Sequence, residues 1–110
     1  MRTLKAPSEI DALFKTGRRG STDLIVVLSA ITPIRRGPEG RVVFVAGKKL
    51  GGAVVRNRCK RVLREATKRA GGPWDGYDVA LVARVKVATA TPAALDAALH
   101  EGLRKAKVSA

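Results

Sequence analysis

Acids, cysteine, histidine and aromatics are all scarce in this chain, and each scarcity excludes something. Among 110 residues there is one cysteine, Cys59, and one histidine, His100. A lone cysteine rules out an internal disulfide. With no Cys/His cluster, a zinc finger is excluded too. A Ser-His-Asp or Cys-His site could be built only on His100, and nothing around it suggests one. The 9 acidic residues are scattered, so no carboxylate pair stands ready to hold two metals. No catalytic residue and no metal ligand is therefore assigned to the protein. No uninterrupted apolar run approaches the roughly 20 residues that span a bilayer. Met1 to Thr16 has no continuous apolar core of the signal-peptide kind. The expectation is a cytoplasmic protein without a membrane partner.

What the chain does have is positive charge. Its 22 Lys and Arg face 9 Asp and Glu, a formal net charge of +13. Such an excess repels itself in a compact state and makes most sense beside a polyanion. Nucleic acid leads, because neutralising phosphates releases counterions and drives binding. Hydrophobic residues at 45% and charged residues at 28% describe a globular chain rather than a disordered one. Its length fits one compact domain with one modest core, so residues 1–110 are read as a single nucleic-acid-binding domain.

Periodicity predicts the elements. A helix runs from Ser8 to Thr16, with Ser8 as N-cap, Asp11 three residues later as a variant capping box, and Gly17 as the stop. Ile10, Leu13 and Phe14 share its face. β-Branched runs predict strands over Asp23–Ile31, Arg41–Ala46 and Tyr77–Val85. Pro33, Gly37, Pro38 and Gly40, with Arg35 and Arg36 among them, break the chain between the first two. Val54 to Ala70 is the clearest helix, its apolar stripe made by Val55, Cys59, Val62, Leu63, Ala66 and Ala70. Gly71, Gly72 and Pro73 end it. A last helix runs from Pro92 to Lys105, with Thr91 as N-cap and Leu95, Leu99 and Leu103 as its stripe. The order α-β-β-α-β-α implies an α/β (α+β) two-layer sandwich with a small mixed sheet and three main helices. If the strands flanking the middle helix are parallel, the general rule demands a right-handed crossover.

The chemistry concentrates in Gly47–Glu65, GKKLGGAVVRNRCKRVLRE. From Arg41 to Arg64 there are eight basic residues and no acidic one. Lys48 and Lys49 sit in a glycine-containing loop just before the basic helix. Arg56, Lys60 and Arg64 recur every four residues and line one ridge that can follow a phosphate backbone. Arginine grips phosphate in a fork, while lysine acts as a movable point charge. Asn57 can contact a base edge or a 2′-hydroxyl. Arg58 falls off the ridge, to reach a second RNA strand or to pack its stem on the sheet. A Walker phosphate loop is ruled out, since the G-x-x-x-x-G-K-[ST] order is absent. A merely solvated basic face is the bland alternative, disfavoured by the net charge and the acid-free run.

The run KKLGGAVVRNRCKRVLRE resembles the signature of the bacterial ribonuclease P protein family: a lysine pair, a glycine, then R-N-R-x-K-R and a further Arg. SEIDALFKTGRR is similar to that family's N-terminal helix and basic turn, and YDVALVAR to its last strand. The resemblance implies an unusual left-handed βαβ crossover. It implies that Arg56, Asn57 and Arg58 face a catalytic RNA, with Lys60, Arg61, Arg64 and Lys68 extending the surface beside Lys48 and Lys49. It implies a cleft for the single-stranded 5′ leader of precursor tRNA, matched here by Ile10, Phe14, Arg18 and Arg84. Ile10 stands where the family often has a second aromatic. The implied partners are ribonuclease P RNA and precursor tRNA, with no obligate protein partner. The implied cofactor is Mg²⁺, held mainly by the RNA, so that the protein screens phosphate repulsion and holds the leader.

Other residues carry plainer readings. Phe44 is read as core, and Phe14 as either core or cleft lining. Trp74 is read as packing its loop rather than stacking on RNA. Cys59 is read as a buried, inert thiol. His100 is read as a surface residue without function. Asp75 and Asp78 shape a turn rather than touch a hydrated Mg²⁺. Three rival functions remain: a ribosomal protein, a DNA-binding module and a self-sufficient nuclease. The R-N-R run argues against the first, and the lack of a helix-turn-helix pattern against the second.

Overall fold

The computed structural model describes residues 7–32 and 40–108, with side chains from residue 10 onward. The Pro/Gly break over 33–39, with Arg35 and Arg36, and the side chain of Ser8 lie outside the described residues. Among the described residues the order is α1 (Pro7–Thr16), β1 (Arg18–Ser21), β2 (Ile25–Ile31), β3 (Arg41–Val45), α2 (Ala53–Arg69), β4 (Tyr77–Ala83) and α3 (Pro92–Lys105). Short 3-10 turns at Lys48–Leu50 and Val85–Thr89 precede α2 and α3.

The sheet gains a strand that the sequence did not announce. Arg18–Ser21 carries no large apolar residue, so it shows no strand period. It forms because its backbone pairs antiparallel with β2, Arg18 opposite Ser29 and Ser21 opposite Val26. The hairpin between them turns on Thr22, whose N–H donates to the Ile25 carbonyl at 2.8 Å. The Thr22 hydroxyl accepts from Ile25 N–H at 3.1 Å, so Asp23 and Leu24 belong to the turn and β2 starts at Ile25. Likewise Arg84 N–H donates to the Leu24 carbonyl at 2.9 Å, and the chain then coils into the 3-10 turn instead of continuing as strand through Val85.

The strand order is β1-β2-β4-β3, mixed, with β4 antiparallel to β2 and parallel to β3. The parallel pair is joined through α2. Alternation along the strands assigns two faces. Ile25, Val27, Val42, Phe44, Val79 and Leu81 pack with α2 and α3 in the main core. Val26, Leu28 and Ala80 pack on the other face around Leu13 of α1. So α2 and α3 form the helical layer, and α1 covers part of the opposite face.

Each helix is placed by its stripe and its ends. In α2, Cys59, Leu63 and Ala66 are fully buried, and Thr67 joins them by donating its hydroxyl to the Leu63 carbonyl at 2.9 Å. Ala70, expected in the stripe, is exposed because it is already the C-cap. In α3, Leu95, Leu99 and Leu103 are buried, and the Thr91 hydroxyl accepts from Ala94 N–H at 3.1 Å, as its cap position requires. The two helices are clasped on the outside by Arg69, whose Nε and Nη2 donate to Asp96 at 2.8–3.0 Å. Trp74 is buried in the main core, as the loop-packing reading required. Gly40 lets it approach: a Cβ there would stand 1.9 Å from the Trp74 carbonyl oxygen.

Candidate nucleic-acid interface

The basic helix presents its cations outward. Asn57, Arg58, Arg61, Arg64 and Lys68 are exposed, as are Lys48 and Lys49, while Arg56 and Lys60 are half-buried. Arg61 alone among these cations meets a carboxylate within the described residues, Glu65 at 4.0 Å on the open surface. Such an exposed pair contributes little and exchanges readily for a phosphate. The Arg56, Lys60, Arg64 ridge is carried by a helix that packs on β3 and β4. Its far end is fixed by Phe44: the Arg64 guanidinium lies over that ring, 5.4 Å from the centroid. Phe44 is thus core, as read, and also the platform that aims a cation. At the near end the Arg56 Nε–H is buried with no acceptor among the described residues.

The start of α2 adds to the field. Gly52 is its N-cap and gives no side-chain cap bond, and no acid stands in the first turn. Its first amides and dipole therefore favour an anion. Lys48 and Lys49 lie in the 3-10 turn immediately before it. Cys59, on the opposite stripe of the same helix, is fully buried. Burial pushes its thiol pKa up, against a smaller lowering by the Arg58 charge, which disfavours the thiolate.

A second feature opens on the α1 face of the sheet. α1 packs on β2 and β4 and leaves the β3 side uncovered, so Val43, Val45 and Val82 are only half-buried. Leu13 is the residue α1 buries. Phe14, the next residue of α1, is 47% exposed, which removes it from the core. Ile10 is half-buried against the same cluster. At the C-terminal ends of β3 and β4 the floor deepens into a cavity of about 780 Å³. Val45 and Val82 line it, Lys48, Lys49, Arg84 and Lys86 surround it, and Asp23 is the one acid on its wall. An apolar floor under a cationic rim suits single-stranded nucleic acid, bases on the floor and phosphates at the rim.

The expected site residues are thus sorted. Phe14, Ile10 and Arg84 belong to the α1 face. Arg18 does not: it stands opposite Ser29, which points to the α3 face, whereas Arg19 stands opposite Leu28 on the α1 face. Lys86 on the cavity rim was missed, because the sequence placed it beyond a strand end rather than on a turn folding back toward Lys48. Asp78, expected to shape the turn before the last strand, lies within β4. It is buried, accepts from the Thr32 hydroxyl at 3.2 Å and pairs with Arg41 at 3.5 Å. Asp75 and His100 are exposed. Among the described residues no group of three His, Cys, Asp or Glu could hold a metal, and no helix is long and apolar enough to cross a membrane.

The chain is similar in sequence and fold to known proteins. The family described as Ribonuclease P matches residues 1–107. A ribonuclease P protein component of Brevibacillus brevis is 36% identical, over 96% of this chain and 82% of its own length. One from Dehalococcoides mccartyi is 44% identical over 62% of this chain, and there the chain spans 56% of the relative's length. Among solved structures, the Staphylococcus aureus RNase P protein superposes with a TM-score of 0.82 at 26% identity, covering 98% of this chain and 97% of that one. Its α+β fold with a mixed sheet is the one described above. With the family match running across nearly the whole sequence, the chain belongs to the ribonuclease P protein family.

Proposed function

We propose that this chain acts as the protein subunit of ribonuclease P, binding the catalytic RNA through α2 and the 5′ leader of precursor tRNA in the groove beside α1. The observation that carries the reading is the uncommitted basic surface: Lys48, Lys49, Arg56, Arg58, Lys60, Arg64 and Lys68 face no carboxylate among the described residues. Catalysis would belong to the RNA, whose Mg²⁺ would supply the activation of water. No step passes through a protein side chain. The protein's residues neutralise phosphate where two RNAs meet and fix the leader in register. That is positioning and electrostatics rather than covalent chemistry. Arg56, Arg58 and Arg64 can hold phosphates in forks, with Asn57 reading a 2′-hydroxyl or base edge between them. Phe14, Val43 and Val82 offer the floor for leader bases, and Lys48, Lys49, Arg84 and Lys86 the rim for its phosphates.

Reconstitution tests the reading. Added to a bacterial ribonuclease P RNA at low Mg²⁺, the chain should accelerate removal of the leader from precursor tRNA, and alone it should cleave nothing. Cleavage by the protein without RNA, or no acceleration of the RNA, would end the proposal. The groove has its own check. Phe14→Ala removes an exposed ring, worth about 1–3 kcal/mol per stacked base. It should weaken binding of leader-bearing substrate about tenfold and leave mature tRNA unaffected. Equal losses on both would take the leader out of the groove.

A further inference from the structure

The sheet edge opposite α2 carries cations that the function proposed above leaves unused. β1 and β3 are the two ends of the strand order, three strand spacings or about 14 Å apart. Arg18 on β1 shares a face with Ser29, whose hydroxyl donates to the Ala106 carbonyl at 2.8 Å. This sets Arg18 beside the C-terminal end of α3. Two residues on, Gly20 brings the two backbones together: a Cβ there would stand 2.2 Å from the Gly102 carbonyl oxygen. Lys105 Nζ then donates to the Ser21 carbonyl at 3.1 Å. Glu101, the one acid of the cluster among the described residues, holds Arg104 and also pairs with Lys105 at 3.9 Å. The side chains of Arg18 and Lys107 make no hydrogen bond or ion pair among the described residues.

Lys107 occupies an unusual backbone position. Its φ is +62°, in the left-handed region. It is the residue after the C-cap: its N–H donates to the Arg104 carbonyl at 3.1 Å, and Val108 N–H donates to Leu103 at 3.0 Å. α2 closes by the same pair of bonds, with Gly71 at the equivalent place and φ +86°. Glycine adopts that conformation without penalty, and a lysine does not. The chain therefore keeps a free cation where the backbone favours glycine, at the same end of α3 as Arg18.

From this we infer a second RNA-contacting surface on the β1–α3 edge, where Arg18 and Lys107 grip phosphates flanked by Lys105 and Arg104. The protein then bridges two RNA segments, one on α2 and one on the opposite sheet edge. The inference rests on the reading of α2 as the main RNA surface. The two patches are separated by more than the Debye length of about 8 Å at physiological salt, so each contributes its own counterion release.

The test is the double variant Arg18→Gln, Lys107→Gly, titrated against a bacterial ribonuclease P RNA across a salt series and footprinted on that RNA. Glycine at 107 relieves the backbone, so the variant should melt no lower than the parent. Affinity at physiological salt should fall about tenfold. The slope of log affinity against log salt should shrink by about 1.4–1.8, for two phosphate contacts at about 0.7–0.9 each. One protected region of RNA should vanish while the region lost in an Arg58→Ala, Arg64→Ala variant persists. An unchanged slope and footprint overturns the second surface and leaves the α2 reading standing. Loss of the same region as in the α2 variant also overturns it. If the parent chain binds no RNA, both readings fall together. Should the double variant melt early, Arg18→Gln and Lys107→Gln are read singly against the same criteria.

Discussion

A chain with Arg58, Lys60 and Arg64 all replaced by alanine is expected to bind ribonuclease P RNA about a hundredfold more weakly than its parent. Each cation on a screened surface contributes about 1 kcal/mol when it meets phosphate, and three sum to about 3 kcal/mol. At 1.4 kcal/mol per decade that is about two orders of magnitude. The slope of log affinity against log salt should drop by about 2 to 3. Most of the loss should appear at low salt, where steering by the whole basic face is strongest. The fold should survive. Of the three, Arg64 alone makes a specific internal contact, with the Phe44 ring, and an exposed contact of that kind is worth about 0.5–1 kcal/mol. A binding titration beside a urea melt checks both halves. A triple variant that melts normally and still binds with an unchanged slope would remove α2 from the interface. Arg58→Lys sharpens the result. It keeps the charge and hence the slope, and any affinity it loses measures the guanidinium fork alone.

Gly20→Ala is expected to cost the fold about 3 kcal/mol, a large share of the 5–15 kcal/mol that hold a domain of this kind. The added Cβ would fall 2.2 Å from the Gly102 carbonyl oxygen, 2.9 Å from the Ala106 nitrogen and 2.9 Å from Lys105 Cβ. Two of these neighbours are main-chain atoms of a helix and cannot swing aside. β1 must therefore lift from α3, and the Ser29 to Ala106 hydrogen bond is strained with it. Gly47→Ala is the control. Nothing lies within 4 Å of a Cβ there, and φ is −75°, so its melt should match the parent within about 0.5 kcal/mol. Equal melts for both variants would show that β1 and α3 part readily enough to take a methyl group.

The parts of this fold that were legible in the sequence are those whose pattern is local. Cys59, Leu63 and Ala66 announce α2 because a helix repeats its buried face every turn, and Thr91 with Pro92 marks the start of α3 because capping is chemistry between near neighbours. β1 was not legible. Arg18–Ser21 forms from backbone pairing with β2 and from the space that Gly20 gives to α3, and neither leaves a periodic mark. The same blindness misplaced Arg18. Which of two adjacent arginines faces the groove is set by strand parity, and parity is fixed only once Arg18 stands opposite Ser29. Strand Tyr77–Val85 was read two residues long because β-branched residues continue past Ala83, while the Arg84 to Leu24 bond turns the chain. The α2 surface needed no tertiary information, since every cation on it belongs to one helix or to the turn before it. The groove did need it. Phe14 and Val82 are far apart in sequence, and only α1 lying across β2 and β4 brings them to one face.

The placement of β4 has a consequence for biosynthesis. Among the described strands it is the last made and the only one that touches both β2 and β3. While the ribosome is still translating the middle of the message, the hairpin of β1 and β2 can close, but β3 has no neighbour to join. Emergence of residues 77–83 zips the halves together in a single late event, and a message truncated before that point yields a polypeptide whose basic helix has nothing to lie on.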